Sequence, residues 1–210
     1  MTDASTLNEL ISRALRDLPA GLYFACEYST QTDAAAVRNA GRVAARRALK
    51  ASGFTGVAEL PRMESGAPEW PLGWLGSISH SKGFCVAVVA REPEYRCLGV
   101  DLEHLGRMRP NTASRIATPA ELAGISDSDH MTHATALFSL KEAFYKAQYP
   151  RYHVSPRFCD LELAWNYSTA DVTINATSGV VEEELQDFCQ RAKLLAWKDT
   201  KRVLTICYSR

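Results

Sequence analysis

The run Phe84-Cys85-Val86-Ala87-Val88-Val89-Ala90 is apolar without interruption and rich in valine, with Lys82-Gly83 before it and a polar turn from Arg91 to Tyr95 after it. A segment so short, so β-branched and so clearly bounded reads as a strong strand. Cys97-Leu98-Gly99-Val100-Asp101-Leu102-Glu103 follows as a second strand, with both acids at its C-terminal end. Side chains alternate along a strand, so Asp101 and Glu103 point to the same side.

Helical patterns surround these strands. Leu7, Leu10, Ile11, Ala14, Leu15 and Leu18 recur at helical spacing behind a Thr6/Glu9 capping box, and Pro19-Ala20-Gly21 stops the run. Leu22 to Cys26 reads as a strand. A second helix is expected from Asp33 as N-cap to about Ala51, where Ser52-Gly53 ends it. Its small and apolar residues (Val37, Ala40, Gly41, Ala44, Ala48) share one side, while Arg38, Arg42 and Arg46 line up at i, i+4, i+8 on another. Residues 61 to 76 carry repeated Pro and Gly and read as a loop anchored by Trp70 and Trp74. Residues 104 to 118 are basic and irregular, and Thr118-Pro119-Ala120-Glu121 predicts a short capped helix. A longer helix is predicted from His130 to Gln148, closed by Pro150. Strands follow at Phe158 to Trp165, Asp171 to Ala176, Ala192 to Trp197 and Arg202 to Tyr208, the last two as a hairpin. The class is α+β, divisible near residue 103 into halves 1–103 and 104–210 of similar content.

Composition narrows the functions. With 46% hydrophobic and 23% charged residues over 210 positions, the chain has enough apolar material for a sizeable core. Net charge is zero, so no global basic field recruits nucleic acid or anionic membrane, and anion binding must be local. No apolar run approaches the ~20 residues that span a bilayer. The N-terminal Met1-Thr2-Asp3-Ala4-Ser5 lacks the regions of a signal peptide, which points to the cytoplasm. The six cysteines are scattered without a C-x-x-C pair and are expected to be mostly buried free thiols.

Magnesium takes oxygen ligands in octahedral geometry, commonly a few carboxylates with water and substrate phosphate completing the shell. Asp101 and Glu103 supply two carboxylates, and Glu142, on the long helix, a third. Each feature alone is ordinary: acidic strand ends are usually solvated, and Glu142 with Lys146 forms a common i, i+4 helix pair. A pyrophosphate-cleaving site, however, needs metal-binding acids, nearby cations and a further phosphate-binding surface together, and the chain offers all three.

Gly99-Val100-Asp101-Leu102-Glu103, followed about forty residues later by Phe138-Ser139-Leu140-Lys141-Glu142-Ala143-Phe144-Tyr145-Lys146, resembles the signature pair of the 4′-phosphopantetheinyl transferase superfamily. Gly41 to Leu49, Gly66-Ala67-Pro68-Glu69-Trp70-Pro71-Leu72-Gly73 and Gly76-Ser77-Ile78-Ser79-His80-Ser81 are similar to blocks of its bacterial enterobactin-synthetase type, and the blocks occur in family order. The resemblance implies a pseudo-twofold pair of α+β halves with coenzyme A in the cleft between them. It implies Mg²⁺ ligands at Asp101, Glu103 and Glu142, and catalytic residues at Glu142, Lys146 and Lys141, with Glu142 open between ligand and general base. It also implies coenzyme A contacts at Arg38, Arg42, Arg46, Ser79, His80 and Lys146. The expected reaction moves phosphopantetheine from coenzyme A to a serine of an acyl or peptidyl carrier protein and releases 3′,5′-ADP. The expected partners are coenzyme A and the carrier, without nucleic acid or membrane, and the expected state is a monomer.

Two positions depart from the family pattern. Ser65 stands where many relatives carry lysine, with Arg62 three residues earlier as a substitute, and Ser81-Lys82 follows the histidine where enterobactin-type relatives often have cysteine. The basic segment from Gly106 to Thr118, with Arg107 and Arg109, is the expected docking place for an acidic carrier. Two other classes fit part of the pattern: a carrier-binding module without transfer activity, and a magnesium-dependent hydrolase of a nucleotide pyrophosphate.

Overall fold

The computed structural model describes residues 3–31, 33–64, 66–106, 108–123 and 125–210. The strong central strand is β3 (Phe84–Arg91), flanked by β1 (Tyr23–Tyr28) and β2 (Trp74–Ser81) in an antiparallel sheet of order β1-β3-β2. Every side chain from Phe84 to Ala90 is buried because both faces of this sheet are covered. On one face lies α2 (Ala34–Ala51), whose Ala44, Ala45, Ala48 and Leu49 meet Ala87 and Val89. The helix starts where expected, as Asp33 Oδ1 accepts the backbone N–H groups of Ala35 and Ala36, both at 3.0 Å. Gly41 is required for the close approach: a Cβ there would stand 2.9 Å from Ile78 Cγ2.

The other face, through Phe84, Val86, Val88 and Ala90, packs on a second sheet. That sheet contains β4 (Cys97–His104), β5 (Leu161–Ala164), β6 (Asp171–Thr177), β7 (Lys193–Lys198) and β8 (Arg202–Ser209), in the antiparallel order β4-β8-β7-β6-β5. Alternation along β4 sends Leu98, Val100 and Leu102 into the inter-sheet core. Asp101 and Glu103 therefore face the opposite way, toward α5 (His130–Tyr152). The result is four layers: helix, sheet, sheet, helix. The first half runs strand, long helix, two strands; the second keeps that plan with β5 and β6 added between α5 and the β7–β8 hairpin, and β1-β3-β2 is matched by β4-β8-β7, so the halves share a core topology that no sequence repeat announces. By hydrogen bonding the sheets divide between Arg91 and Cys97, ahead of residue 103, because β4 pairs with β8 along its whole length.

Several elements differ from expectation. The helix α1 (Asp3–Asp17) begins before Thr6, so Thr6 is intrahelical and is no cap; Leu7, Leu10 and Ala14 close one end of the inter-sheet core. Trp74 to Gly76, expected in the loop, join Ser77 to Ser81 as strand β2 in full register with β3, and the Pro/Gly-rich loop ends at Gly73. The long helix runs past Pro150 to Tyr152 before His153 turns left-handed at φ 57°. Pro150 loses its own amide bond and its ring crowds the Lys146 carbonyl, and Tyr152 packing on Phe188 holds the added turn against that cost. Residues 104–118 contain α3 (Pro110–Ile116), and α4 (Pro119–Leu122) has the predicted Thr118/Glu121 capping box. Phe158–Asp160 is a short 3₁₀ turn rather than strand, as Asp160 Oδ2 accepts Arg157 N at 3.0 Å. Two helices that the periodicity did not announce, α6 (Val180–Glu184) and α7 (Gln186–Arg191), precede the β7–β8 hairpin. Cys85, Cys97 and Cys207 are buried, Cys26 and Cys189 half-buried, and Cys159 is exposed; all are free thiols.

Candidate active site

The site forms where the edge strands β2 and β4 meet under α5. A Cβ on Gly99 would stand 2.6 Å from Ala147 N and collide with the Ala143 carbonyl, so only glycine lets α5 lie directly on β4. That contact brings Lys146 over the acid strand. Lys146 Nζ donates to Asp101 Oδ1 at 2.6 Å and to Ser79 Oγ at 3.2 Å, and Ser79 Oγ itself donates to Asp101 Oδ1 at 2.7 Å. Asp101 is 3% exposed, and its Oδ2 is buried without a hydrogen-bond partner. Ser77, two residues before Ser79 on the same strand face, accepts Val100 N at 3.0 Å and fixes β2 against β4.

Glu142 lies one helical turn before Lys146 and is half-buried. Burial pushes its carboxyl pKa above the ordinary glutamate value; Lys146 pulls it down and Asp101 adds a further upward push. It therefore sits within electrostatic reach of the Asp101–Lys146 pair, with more basic character than a surface glutamate. A small cavity of about 230 Å³ borders Glu142, walled by Phe144, Tyr145, Pro156, Phe158 and Leu161.

Hard oxygen donors such as Asp101, Glu103 and Glu142 match Mg²⁺ chemically, and the unpartnered Asp101 Oδ2 is the atom a cation would satisfy. Among the described residues, however, no three acids, histidines or cysteines converge closely enough to hold an ion by themselves. Glu103 points to the correct side of β4 and is half-buried. In this arrangement it is Lys146 that neutralises Asp101.

From this cluster a cleft of about 760 Å³ opens between the two halves. Arg38 and Arg42 from α2, Arg62 from the loop, His80 from β2 and Lys146 from α5 line it, with Trp70 and Trp74 as apolar walls. Arg42 has its pKa lowered, first by partial burial and then by the charges of Arg46 and Arg62, so the cleft gathers cations at a cost that an anion would relieve.

Not every expected residue reaches the cleft. Arg46 turns away, its guanidinium donating to the Ala58 carbonyl at 2.9 Å and the Glu59 carbonyl at 3.4 Å, because the backbone after α2 folds under it. Ser79 is buried against Asp101 instead of lining the cleft. Lys141 is 2% exposed, and its ammonium bonds Glu121 Oε2 and the Ile116 carbonyl, both at 2.8 Å, so it does not join the Asp101 cluster. Burial lowers its pKa against the opposing pull of Glu121. Ser65 and Arg107 lie outside the described residues. The fold also adds Arg96 and Arg151 to the cleft, one before β4 and one at the end of α5; no local pattern could have paired positions so far apart.

A family described as the 4′-phosphopantetheinyl transferase N-terminal domain matches residues 38–90, and the 4′-phosphopantetheinyl transferase superfamily matches residues 97–207. The 4′-phosphopantetheinyl transferase Svp of Streptomyces mobaraensis is 38% identical over 127 residues, 59% of this chain and 51% of Svp. The 4′-phosphopantetheinyl transferase Npt of Nocardia iowensis is 32% identical over 146 residues, 69% of this chain and 64% of Npt. Enterobactin synthase component D of Shigella flexneri is 33% identical over 132 residues, 60% of each chain. The chain thus spans between half and two thirds of the length of these relatives. With the superfamily match extending over the acid strand, the lysine helix and the sheet that joins them, the chain belongs to the 4′-phosphopantetheinyl transferase superfamily.

Proposed function

We propose that the chain transfers the 4′-phosphopantetheine group of coenzyme A to a serine of an acyl or peptidyl carrier protein and releases 3′,5′-ADP. The observation that carries the reading is the junction of a buried carboxylate–ammonium cluster, Asp101 with Lys146, and a cleft lined by arginines. Arg38, Arg42, Arg62 and His80 bind the phosphates of coenzyme A, the planar guanidinium forks suiting phosphate oxygens. Lys146 offsets the charge that builds on the bridging oxygen as its bond to phosphorus breaks. Glu142, with its carboxyl raised by burial, accepts the proton of the carrier serine directly or through one water as the new oxygen–phosphorus bond forms. The aromatic cavity beside Glu142 accommodates the pantetheine arm.

Asp101 and Glu103 would hold Mg²⁺, which would supply Lewis-acid neutralisation of the pyrophosphate oxygens; Glu142 takes the base role in this reading because a metal-bound carboxylate is a weak base. Arg109 at the start of α3 carries the carrier-docking role. The described helices are too short or too polar to cross a membrane, and we place the protein in the cytoplasm as a monomer, its two halves supplying both walls of the cleft.

Incubation with coenzyme A, Mg²⁺ and an apo-carrier, read by intact-mass spectrometry, tests the assignment. Phosphopantetheinylated carrier with stoichiometric 3′,5′-ADP is expected. Cleavage of coenzyme A without carrier would indicate a hydrolase, and carrier binding without chemistry a docking module; either result overturns the transfer reading. Charge reversal at Arg109 should raise the carrier KM while leaving the coenzyme A KM unchanged.

A further inference from the structure

Lys141 stands next to Glu142 in sequence, yet its ammonium is buried in a different part of the molecule. Its Nζ meets Glu121 Oε2 and the Ile116 carbonyl, each at 2.8 Å. Glu121 is saturated in turn: Oε2 also accepts Thr118 N at 2.7 Å, and Oε1 accepts Leu163 N at 2.9 Å. The pair therefore ties α5 to the end of α3, the cap of α4 and strand β5. Both side chains are essentially excluded from solvent, at 2% for Lys141 and 0% for Glu121. Although the body of Lys141 borders the small aromatic cavity, its charge is directed away from it into this network.

Around a helix, consecutive residues are separated by about 100°, so Lys146 lies about 40° from Glu142 and about 140° from Lys141. One rotation of α5 cannot change without moving all three. We propose that Lys141 is a positioning residue, locked by Glu121, that fixes the rotation of α5 so that Glu142 and Lys146 face Asp101, and that it contacts neither coenzyme A nor carrier. Removing one member of a buried ion pair strands the other charge, whereas removing both leaves little penalty. This logic separates a positioning lysine from one that touches substrate. The proposal rests on the transfer reading above for its activity measurements, and wild-type transfer is the control for that reading.

The experiment compares the wild type with Lys141→Met, Glu121→Gln and the double variant, by steady-state kinetics and by hydrogen exchange on the α5 amides. Each single variant is expected to lower kcat about 30- to 100-fold, as misplacement of catalytic groups does, with the coenzyme A KM within threefold of wild type. The double variant should regain about tenfold over Lys141→Met and stop short of wild type, because a glutamine at position 121 keeps one accepting oxygen for the two amides of Thr118 and Leu163. Exchange across 141–146 should accelerate in both singles and return toward wild type in the double.

A double variant as inactive as Lys141→Met, or a coenzyme A KM that rises tenfold and is not rescued, would show that the Lys141 charge acts on substrate and overturn the proposal. If the wild type transfers nothing, the transfer reading falls. Hydrogen exchange then decides the positioning claim alone, and singles exchanging like wild type would overturn it.

Discussion

Helix α5 makes two carboxylate–lysine pairs that look alike in a contact map and differ in almost everything that matters. Lys146 and Asp101 meet at 2.6 Å at the rim of the cleft, with the lysine 27% exposed and one Asp101 oxygen left unpartnered. Lys141 and Glu121 meet at 2.8 Å in the interior, and the Glu121 carboxylate accepts backbone amides on both oxygens as well. Saturation marks a pair built for architecture. An open valence beside a cationic cleft marks one built for a ligand, because buried polar atoms without partners are costly and persist where something else completes them.

The sharpest way to break this contrast is to neutralise the two carboxylates separately. Asp101→Asn should lower transfer by about 10²- to 10³-fold, the scale of deleting one electrostatic stabiliser, with little change in the midpoint of urea unfolding. Glu121→Ala should do the reverse in emphasis, costing about 3–5 kcal/mol of stability because Lys141 is left charged and buried. Equal stability losses in both would erase the distinction. Gly99→Ala tests the contact on which both pairs depend: a Cβ against the α5 backbone should cost about 1–3 kcal/mol or more and reduce activity together with stability, measured by thermal melts and kinetics on the same samples.

The same logic extends to the arginines of α2. Arg42→Ala should raise the coenzyme A KM about 10-fold or more, since a charged hydrogen bond to phosphate is lost. Arg46→Ala should leave that KM nearly unchanged and cost only about 1 kcal/mol of stability through its carbonyl contacts. The smallest effect concerns acid. Asp160 is held below the ordinary carboxyl value, chiefly by its hydrogen bond from Arg157. A carboxylate depressed in the folded state stabilises above its unfolded pKa and loses that contribution as pH falls through the folded one. Stability of the wild type should therefore decline below about pH 3.8 more steeply than that of Asp160→Asn. Parallel slopes in acid titrations followed by circular dichroism would show that the capping pair carries no net weight.

Much of this was legible in order along the chain. The strands around Val86 and Val100, the Asp33-capped helix, the α4 capping box and the terminal hairpin follow from local patterns, and the acid strand and lysine helix could be recognised by their motifs. Strand β2 is not legible locally because Gly76 and the serines weaken its propensity, while pairing with β3 overrides it. The last turn of α5 was cut at Pro150 because a local rule does not include Tyr152 packing on Phe188.

Sequence by itself determined which residues could share a face: Asp101 with Glu103 by strand alternation, and Glu142 with Lys146 by helical spacing. Tertiary structure alone decided which cations are available to a ligand. Arg46 is spent on loop carbonyls and Lys141 on Glu121, while Arg96 is carried to the cleft from just before β4 and Arg151 from the end of α5. The reason is physical: the direction of a long charged side chain is set by the partners within reach of its tip, and those partners come from segments distant in sequence, beyond the range of any local pattern.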